Sequence, residues 1–255
     1  MKNLDAIRPR GQVIRAVAES VWKRVLDQVL GLLLLAGSGL AFFLGLGMDF
    51  QESEARMMLI LIHVFVSLLL IIVGTTEIPR DMATRNIQFF LSKPLGRPEY
   101  LLGKFAGIFI LGELILAVYA GCFGIGMIIR GSGELNGLAI DFLRMTLQLA
   151  VLSALLVGVS AVLPEITATI FGVAFYILSQ MVFVLPTMLR VLLPEWLHPP
   201  FLAIYYLLPN SHFYLWSGED VRMGYFLFLL LVYSVSYCAF ALTIANFWFR
   251  RRDLN

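Results

Sequence analysis

The segment TTEIPRDMATRNIQFFLSKPLGRPEYLLGK, residues 75–104, is a polar stretch between two long apolar runs. It contains five of the nineteen Lys and Arg residues of the chain, which are Arg80, Arg85, Lys93, Arg97 and Lys104. Basic residues concentrate in the cytoplasmic loops of membrane proteins. The segment is therefore predicted to be a cytoplasmic loop that connects two membrane spans.

The prolines of this segment predict two helices within it. Pro79 is expected to open a short helix, because a first turn does not use the amide that proline lacks. Asp81 would then lie near the positive end of the helix dipole, and Pro94 would stop this part of the chain. A second helix is expected to start near Pro98, with Glu99 in its first turn, and to continue into the bilayer.

The composition excludes an ordinary soluble domain. The 255 residues are 60% hydrophobic and only 14% charged, and the mean hydropathy is +0.86, as is typical of a polytopic membrane protein. The formal net charge of +2 is too small to suggest nucleic acid, so no nucleic-acid partner is expected. Cys122 and Cys238 both lie inside apolar runs, where they do not indicate a disulfide framework.

Six apolar stretches approach the roughly 20 residues that cross the hydrocarbon core as a helix. The predicted spans are 29–48, 57–74, 105–129, 142–163, 166–189 and 224–249. Six basic residues precede the first span, five lie in the 75–104 loop and three follow the last span. This distribution places both termini in the cytoplasm together with the loop. The predicted fold class is therefore an all-α, multi-pass membrane protein with six transmembrane helices.

Residues outside the spans carry further signals. Residues 1–28 are predicted to form a cytoplasmic amphipathic interfacial helix, because valine recurs at every fourth position, at Val13, Val17, Val21 and Val25. Residues 29–255 would form the six-span domain. Residues 190–223 are too apolar for solvent and contain four prolines, which predicts an external re-entrant segment before span six. The minimal turn at Pro164 and Glu165 predicts a tight hairpin of spans four and five.

Residue patterns for catalysis are missing from the sequence. It has no Gly-x4-Gly-Lys-Ser/Thr phosphate loop, so the chain is not expected to bind ATP itself or to be an enzyme. His63, His198 and His212 lack ligand-like spacing to another histidine or a cysteine, so no metal site is expected. Glu113 is the intramembrane polar candidate, because an ionisable residue within a span is costly. It either faces a polar path or a subunit seam, or it is a packing residue hydrogen bonded to a neighbouring span.

The 75–104 loop also carries a family resemblance. Its motifs are Pro79-Arg80-Asp81, Arg85-Asn86-Ile87, Leu91-Ser92-Lys93-Pro94, Arg97 and Leu102-Gly103-Lys104. They resemble the permease subunits of ATP-binding-cassette (ABC) transporters of the type 2 exporter class, in particular the multi-copper-enzyme-maturation-like bacterial permeases. In that family the loop carries a coupling helix, which docks on a separate ATPase subunit.

The resemblance implies a location, partners and site residues. It implies a permease of the bacterial cytoplasmic (inner) membrane, surrounded by lipid, with a second permease copy or a paralogue and an ABC ATPase subunit that binds ATP and Mg. The implied ATPase-contact residues are Arg80, Asp81, Arg85, Ile87, Phe89, Phe90 and Leu91. The other residues of the loop motif are Pro94, Arg97, Gly103 and Lys104. Export as the direction of transport rests on the resemblance alone.

Two other functions remain open at this point. The chain could be a nucleotide-independent channel, scramblase or assembly factor, in which case the purified chain alone would move solute or lipid. An ion-coupled secondary transporter would need paired ionisable groups at mid-membrane, for which Glu113 alone is thin support. Spans rich in Leu, Ile and Phe fit a lipidic or amphipathic cargo better than a sugar.

Overall fold

The structure is a computed structural model that describes residues 10–26, 37, 39–41, 44, 52–84, 96–130, 135–184, 209–215 and 223–251. The elements formed by these residues are all helical. They are α1 (Arg10–Leu26), α2 (Glu52–Ala83), α3 (Arg97–Arg130), α4 (Leu135–Val162), α5 (Glu165–Met181), a 3-10 turn (Val182–Val184), α6 (His212–Leu215) and α7 (Met223–Arg251).

Four of the helices are long and apolar enough to cross a membrane. The qualifying segments are Met57–Ala83, Arg97–Ile129, Ala139–Val162 and Gly224–Arg251. They correspond to the predicted spans two, three, four and six, and two of them, Met57–Ala83 and Arg97–Ile129, extend well beyond the predicted limits. The prediction of a polytopic α-helical membrane protein is confirmed at this level.

The remaining two predicted spans, the first and the fifth, are described only in part. The fifth, predicted at 166–189, is a helix of 17 residues that ends at Met181. The 3-10 turn Val182–Val184 follows it directly, and residues 185–189 of the predicted span lie outside the described part of the chain. The first, at 29–48, lies mostly outside the described residues, among which Ala41 is helical and buried.

Helix α2 continues through Pro79, so the prediction that Pro79 opens a new helix is wrong. Proline leaves the carbonyl of the residue four positions earlier without its usual donor, but neighbouring helices and Thr side chains make this tolerable in membrane helices. Continuing the helix also buries Ile78 and Asp81, which a turn at Pro79 would have exposed to solvent.

Helix α3 begins where the sequence predicted. Pro98 lies just inside its start, and the backbone amide of Gly96 donates to the Glu99 carboxylate at 2.7 Å. This contact satisfies an amide that the helix itself leaves without a partner. The polar 75–104 segment is therefore helical at both ends, as the last turns of α2 and the first turns of α3, and residues 85–95 between them lie outside the described part of the chain.

The bundle core is formed mainly by α2, α3 and α4, with α5 and α7 packed on its sides. Helices α4 and α5 are joined by Leu163 and Pro164 alone, as predicted for a tight hairpin. Helix α7 packs mainly on α4 and leaves most of its apolar side chains exposed, as expected for a helix that faces lipid. The largest fully buried aliphatic side chains of the core are Leu70, Ile71, Ile78, Leu101, Ile108, Leu111, Ile115 and Leu116.

The amphipathic helix predicted at 1–28 corresponds to α1, and its apolar face is covered by α3. Val17 and Val21 are both 0% exposed. They lie against Gly103 and Gly107, where an added Cβ would come within 2.7 Å of Val17 and 2.9 Å of Val21. Two glycines four residues apart line one face of a helix and allow a neighbouring helix to approach closely. Gly103 and Gly107 therefore form the surface of α3 on which α1 packs.

Candidate functional site

Four buried side chains connect the two helical ends of the 75–104 segment, and we call them the ion cluster. Lys104 Nζ donates to Glu77 Oε2 at 2.7 Å and lies 2.8 Å from Asp81 Oδ2. The hydroxyl of Tyr100 donates to the same oxygen of Asp81 at 2.9 Å. None of the four side chains is more than 2% exposed. Two carboxylates and one ammonium thus meet inside the protein, with a formal charge of −1.

Helix periodicity explains why these residues meet. Glu77 and Asp81 are four residues apart and lie on one face of α2, and Tyr100 and Lys104 have the same relation on α3. Buried ion pairs add little net stability, but they strongly disfavour any arrangement that leaves one charge without its partner. The ion cluster therefore sets the rotation and the axial position of α2 relative to α3.

Arg97 connects the same region to the last helix. Its Nη1 atom donates to the carbonyl of Phe249 at 2.9 Å and to the carbonyl of Arg250 at 2.7 Å. These carbonyls belong to the carboxyl end of α7, where helices leave acceptors unpaired and carry partial negative charge. The rings of Tyr100 and Phe249 stack with centroids 5.9 Å apart. The ends of α2, α3 and α7 are thus held together on one side of the bundle.

The structure separates the predicted loop residues into groups with different environments. Arg80 is exposed, but Asp81 is 0% exposed and bonded within the ion cluster. In this arrangement the side chain of Asp81 belongs to the ion cluster, and its predicted contact with the ATPase stays a prediction. Arg97, Gly103 and Lys104 make contacts within the chain, as described above. The other predicted residues lie outside the described part of the chain, namely Arg85, Ile87, Phe89, Phe90, Leu91 and Pro94.

Sequence reasoning did not include Glu77 and Tyr100 among the site residues. The available signal was the spacing of four residues between Glu77 and Asp81 and between Tyr100 and Lys104. An acidic pair and a Lys–Tyr pair, each on one helix face and close to the same loop, favour mutual contact. Whether the two faces point toward each other depends on helix rotation, which the sequence does not specify.

Glu113 combines features of both alternatives considered for it. Its Oε2 atom accepts a hydrogen bond from the Thr146 hydroxyl of α4 at 2.9 Å. Its Oε1 atom is buried and has no hydrogen-bond partner among the described residues. Within the described part of the chain, one of the two oxygens of the Glu113 carboxyl group therefore has a hydrogen-bond partner and the other is buried without one.

Histidine and other potential metal ligands do not cluster in the described residues. No group of three His, Cys, Asp or Glu side chains suited to a metal ion occurs there. His63 is buried in α2, and its Nε2 atom lies 3.5 Å from the Ser67 hydroxyl of the next turn. In the described part of the chain, the ion cluster is the principal concentration of buried charge.

The fold and the ion cluster define the class of protein. It is a polytopic α-helical membrane protein in which buried charged residues join the ends of two spans next to a polar segment. The model of the family described as ABC-2 family transporter protein matches residues 25–254. The chain therefore belongs to the ABC-2 family of transporter proteins, and it is a membrane permease component of an ABC transporter. Membership implies association with an ABC ATPase subunit. Comparison with curated proteins gave no match to this chain.

Proposed function

We propose that this chain couples ATP hydrolysis by a separate ATPase subunit to the export of a substrate across the bacterial cytoplasmic membrane. ATP and Mg bind to the ATPase, and the permease itself carries no cofactor. Two permease copies, or this chain and a paralogue, enclose the path within the lipid bilayer. Each chain has six spans, with both termini and the 75–104 segment in the cytoplasm.

The ion cluster is the observation that supports coupling through the 75–104 segment. A displacement applied to residues 85–95 reaches the rest of the chain through the end of α2 and the start of α3. Since Lys104 bonds both Glu77 and Asp81, these two helix ends must move together. Arg97 adds the end of α7 to the same unit through its two carbonyl contacts. A displacement of the segment is thereby transmitted to three membrane-length helices.

The proposed ATPase contact combines an apolar ridge with charged residues beside it. Phe89, Phe90 and Leu91, together with Ile87, form the ridge, which fills a groove on the ATPase. Arg80 and Arg85 make salt bridges at its edge. Aromatic and Arg side chains dominate the binding energy of protein interfaces, so this set is suited to a force-bearing contact. Asp81, Arg97 and Lys104 support the contact from within the permease.

The test is co-purification of the full-length permease with its cognate ABC ATPase, followed by ATPase assays in nanodiscs. A charge within the ridge, Phe89→Asp, should abolish assembly and the permease-dependent part of the ATPase rate. The matched control is Gln12→Asp, which places the same charge at an exposed position of α1. Unchanged assembly and ATPase activity of Phe89→Asp would reject the contact assignment.

Reconstitution of the same purified permease into liposomes distinguishes a coupled transporter from a passive one. Liposomes that contain the permease alone should move neither solute nor lipid, because the proposed mechanism needs the ATPase. Transport or lipid mixing by the chain alone, at a rate that ATP and the ATPase leave unchanged, would favour a channel or scramblase.

A further inference from the structure

An exposed apolar surface of α7 ends in a positive charge. Its apolar residues, each between 42% and 51% exposed, are Phe240, Ile244 and Phe247. Arg251, the last residue of the helix, is exposed as well. Successive helix residues are about 100° apart, so these four side chains fall within about 60° of one another around α7. We call these four residues the α7 stripe, in which a line of hydrocarbon leads to a guanidinium group.

The exposed hydroxyl groups near the α7 stripe are paired within the helix itself. Ser236 donates to the carbonyl of Val232 at 2.8 Å, and Thr243 donates to the carbonyl of Ala239 at 2.7 Å. Hydrocarbon provides no hydrogen-bond partner, so polar groups on a lipid-facing helix have to be satisfied internally. This side of α7 is therefore suited to contact with acyl chains.

The length of the α7 stripe matches one leaflet of a bilayer. Arg251 follows Phe240 by eleven positions, which is about 16 Å at about 1.5 Å per residue. Half of the roughly 30 Å hydrocarbon core is about 15 Å. A phospholipid whose acyl chain packs along the stripe therefore has its headgroup at the depth of Arg251.

An aromatic ring holds the guanidinium group of Arg251 at the end of the stripe. The guanidinium carbon lies over the ring of Phe247, 4.2 Å from its centroid. A guanidinium group stacked on a ring keeps its N–H donors at its edges, and their fork geometry matches two oxygens of a phosphate. Trp248, which is 52% exposed, lies one position further along α7. Exposed tryptophan is typical of the headgroup level of a membrane.

The charges around the end of α7 favour an anion. Arg250 is exposed next to Arg251, and α7 contains no Asp or Glu. The free carbonyls at the carboxyl end of a helix would repel an anion. Two of these carbonyls accept hydrogen bonds from Arg97, which compensates their negative charge. Further along the chain, Arg252 and Asp253 balance each other in formal charge.

The negative charge of the ion cluster lies toward another side of α7. The ring of Phe249 stacks with Tyr100 of the cluster. Phe249 is two residues from Arg251, which corresponds to about 200° around the helix. It is also 0% exposed. The buried ring of Phe249 therefore separates the ion cluster from the α7 stripe.

We propose that the α7 stripe binds an anionic phospholipid, such as phosphatidylglycerol, in the leaflet that contains the carboxyl end of α7. One acyl chain lies along Phe240, Ile244 and Phe247, and the phosphate accepts hydrogen bonds from Arg251. Arg250 adds an attraction that the cation of a zwitterionic headgroup offsets. The site requires insertion in a membrane but no ATPase, so its test can fail while the proposed function stands.

The experiment is photolabelling of the full-length permease in phosphatidylcholine nanodiscs. The probe is a trace of phosphatidylglycerol with a diazirine in one acyl chain, and the comparison probe is phosphatidylcholine with the same chain. Labelled peptides are mapped by mass spectrometry. Phosphatidylglycerol should label residues 240–251 at least about fivefold more than phosphatidylcholine, as expected from one arginine near the membrane surface.

Two variants and two matched controls test the assignment. Arg251→Gln should reduce labelling by phosphatidylglycerol about fivefold and leave labelling by phosphatidylcholine unchanged. Phe247→Leu keeps the stripe apolar but removes the ring under the guanidinium group, and it should reduce labelling by phosphatidylglycerol about two- to fivefold. Arg15→Gln in α1 and Phe228→Leu near the start of α7 should label like wild type. All four positions are exposed, so every variant should elute in gel filtration as the wild type does.

Three results would overturn the proposal. Equal labelling by the two probes would reduce the stripe to a general lipid contact. Equal labelling of wild type and Arg251→Gln by phosphatidylglycerol would remove the guanidinium group from recognition. The absence of labelling at 240–251 in wild type would show that protein covers the stripe, for example α7 of a second copy.

Discussion

Replacing Lys104 by Met tests the ion cluster most directly. Methionine has nearly the same length and flexibility as lysine, so the change removes the ammonium group and little else. Glu77 and Asp81 would remain inside the protein without their shared cation. Lys104→Met should therefore be strongly destabilising, although a chain of similar volume still fills the site.

The structure allows the size of this effect to be worked out. Both carboxylate oxygens contact the same Nζ, at 2.7 and 2.8 Å, so they are at most about 5.5 Å apart. Two like charges at that distance repel by about 3 kcal/mol at an effective dielectric constant of about 20. Removing one partner of a buried ion pair typically costs about 3–5 kcal/mol, which agrees with this figure. For a chain of this size the loss corresponds to a Tm lower by roughly 6–20 °C.

The assay is thermal unfolding of the purified permease in nanodiscs, followed by intrinsic fluorescence at one fixed scan rate. Arg80→Met is the matched control, because Arg80 is one helix position from Asp81 but exposed. Its free energy of unfolding should change by less than about 0.5 kcal/mol. The triple variant Lys104→Met, Glu77→Gln and Asp81→Asn removes all the charges together and should recover most of the lost stability.

A Tm of Lys104→Met within about 2 °C of wild type would refute the reasoning, since a change of that size corresponds to no more than about 1 kcal/mol. Failure of the triple variant to recover stability would show that the loss came from packing and that charge pairing contributes little. Either result would also remove the main support for a rigid connection between α2 and α3.

Two further predictions concern the helices that meet at the same end of the bundle. Gly103→Ala should displace α1, because the new Cβ would lie 2.7 Å from Val17 Cβ. The displacement should appear as faster tryptic cleavage within residues 10–26. The control Gly121→Ala has open space around its Cβ and should leave the rate of cleavage unchanged. Arg97→Met should free the carbonyls of Phe249 and Arg250. Amide hydrogen exchange in the last turn of α7 should then accelerate by about tenfold, as expected for the loss of one to two hydrogen bonds to a charged group. Unchanged exchange there would mean that Arg97 does not hold the end of α7.

The parts of the fold that could be predicted are those that depend on local sequence. Four membrane-length helices, the start of α3 at Arg97–Glu99 and the hairpin at Pro164 all follow from apolar runs, proline positions and helix-start signals within a few residues. Hydrophobicity over about 20 residues is enough to identify a span, because the bilayer core has a set thickness.

The features that the local sequence did not predict depend on contacts between distant residues. Pro79 carries a strong local signal for a helix start, but the burial of Ile78 and the contacts of Asp81 with α3 favour continuation of α2. Asp81 is a polar residue of a predicted loop, which favours exposure, but Lys104 is 23 positions away in sequence and 2.8 Å away in space. The four-residue spacings on the two helices favour such a contact, but only helix rotation decides whether it forms.

The sequence by itself determined that this chain is a multi-pass helical membrane protein with a basic segment between two spans, because transfer into hydrocarbon is a property of each stretch taken alone. Only the tertiary structure decided which face of each helix meets which neighbour. That choice made Glu77, Asp81, Tyr100 and Lys104 one buried cluster. The physical reason is that charge pairing and close packing act over a few ångströms, so they depend on helix rotation and register, which are set only when all the helices are assembled.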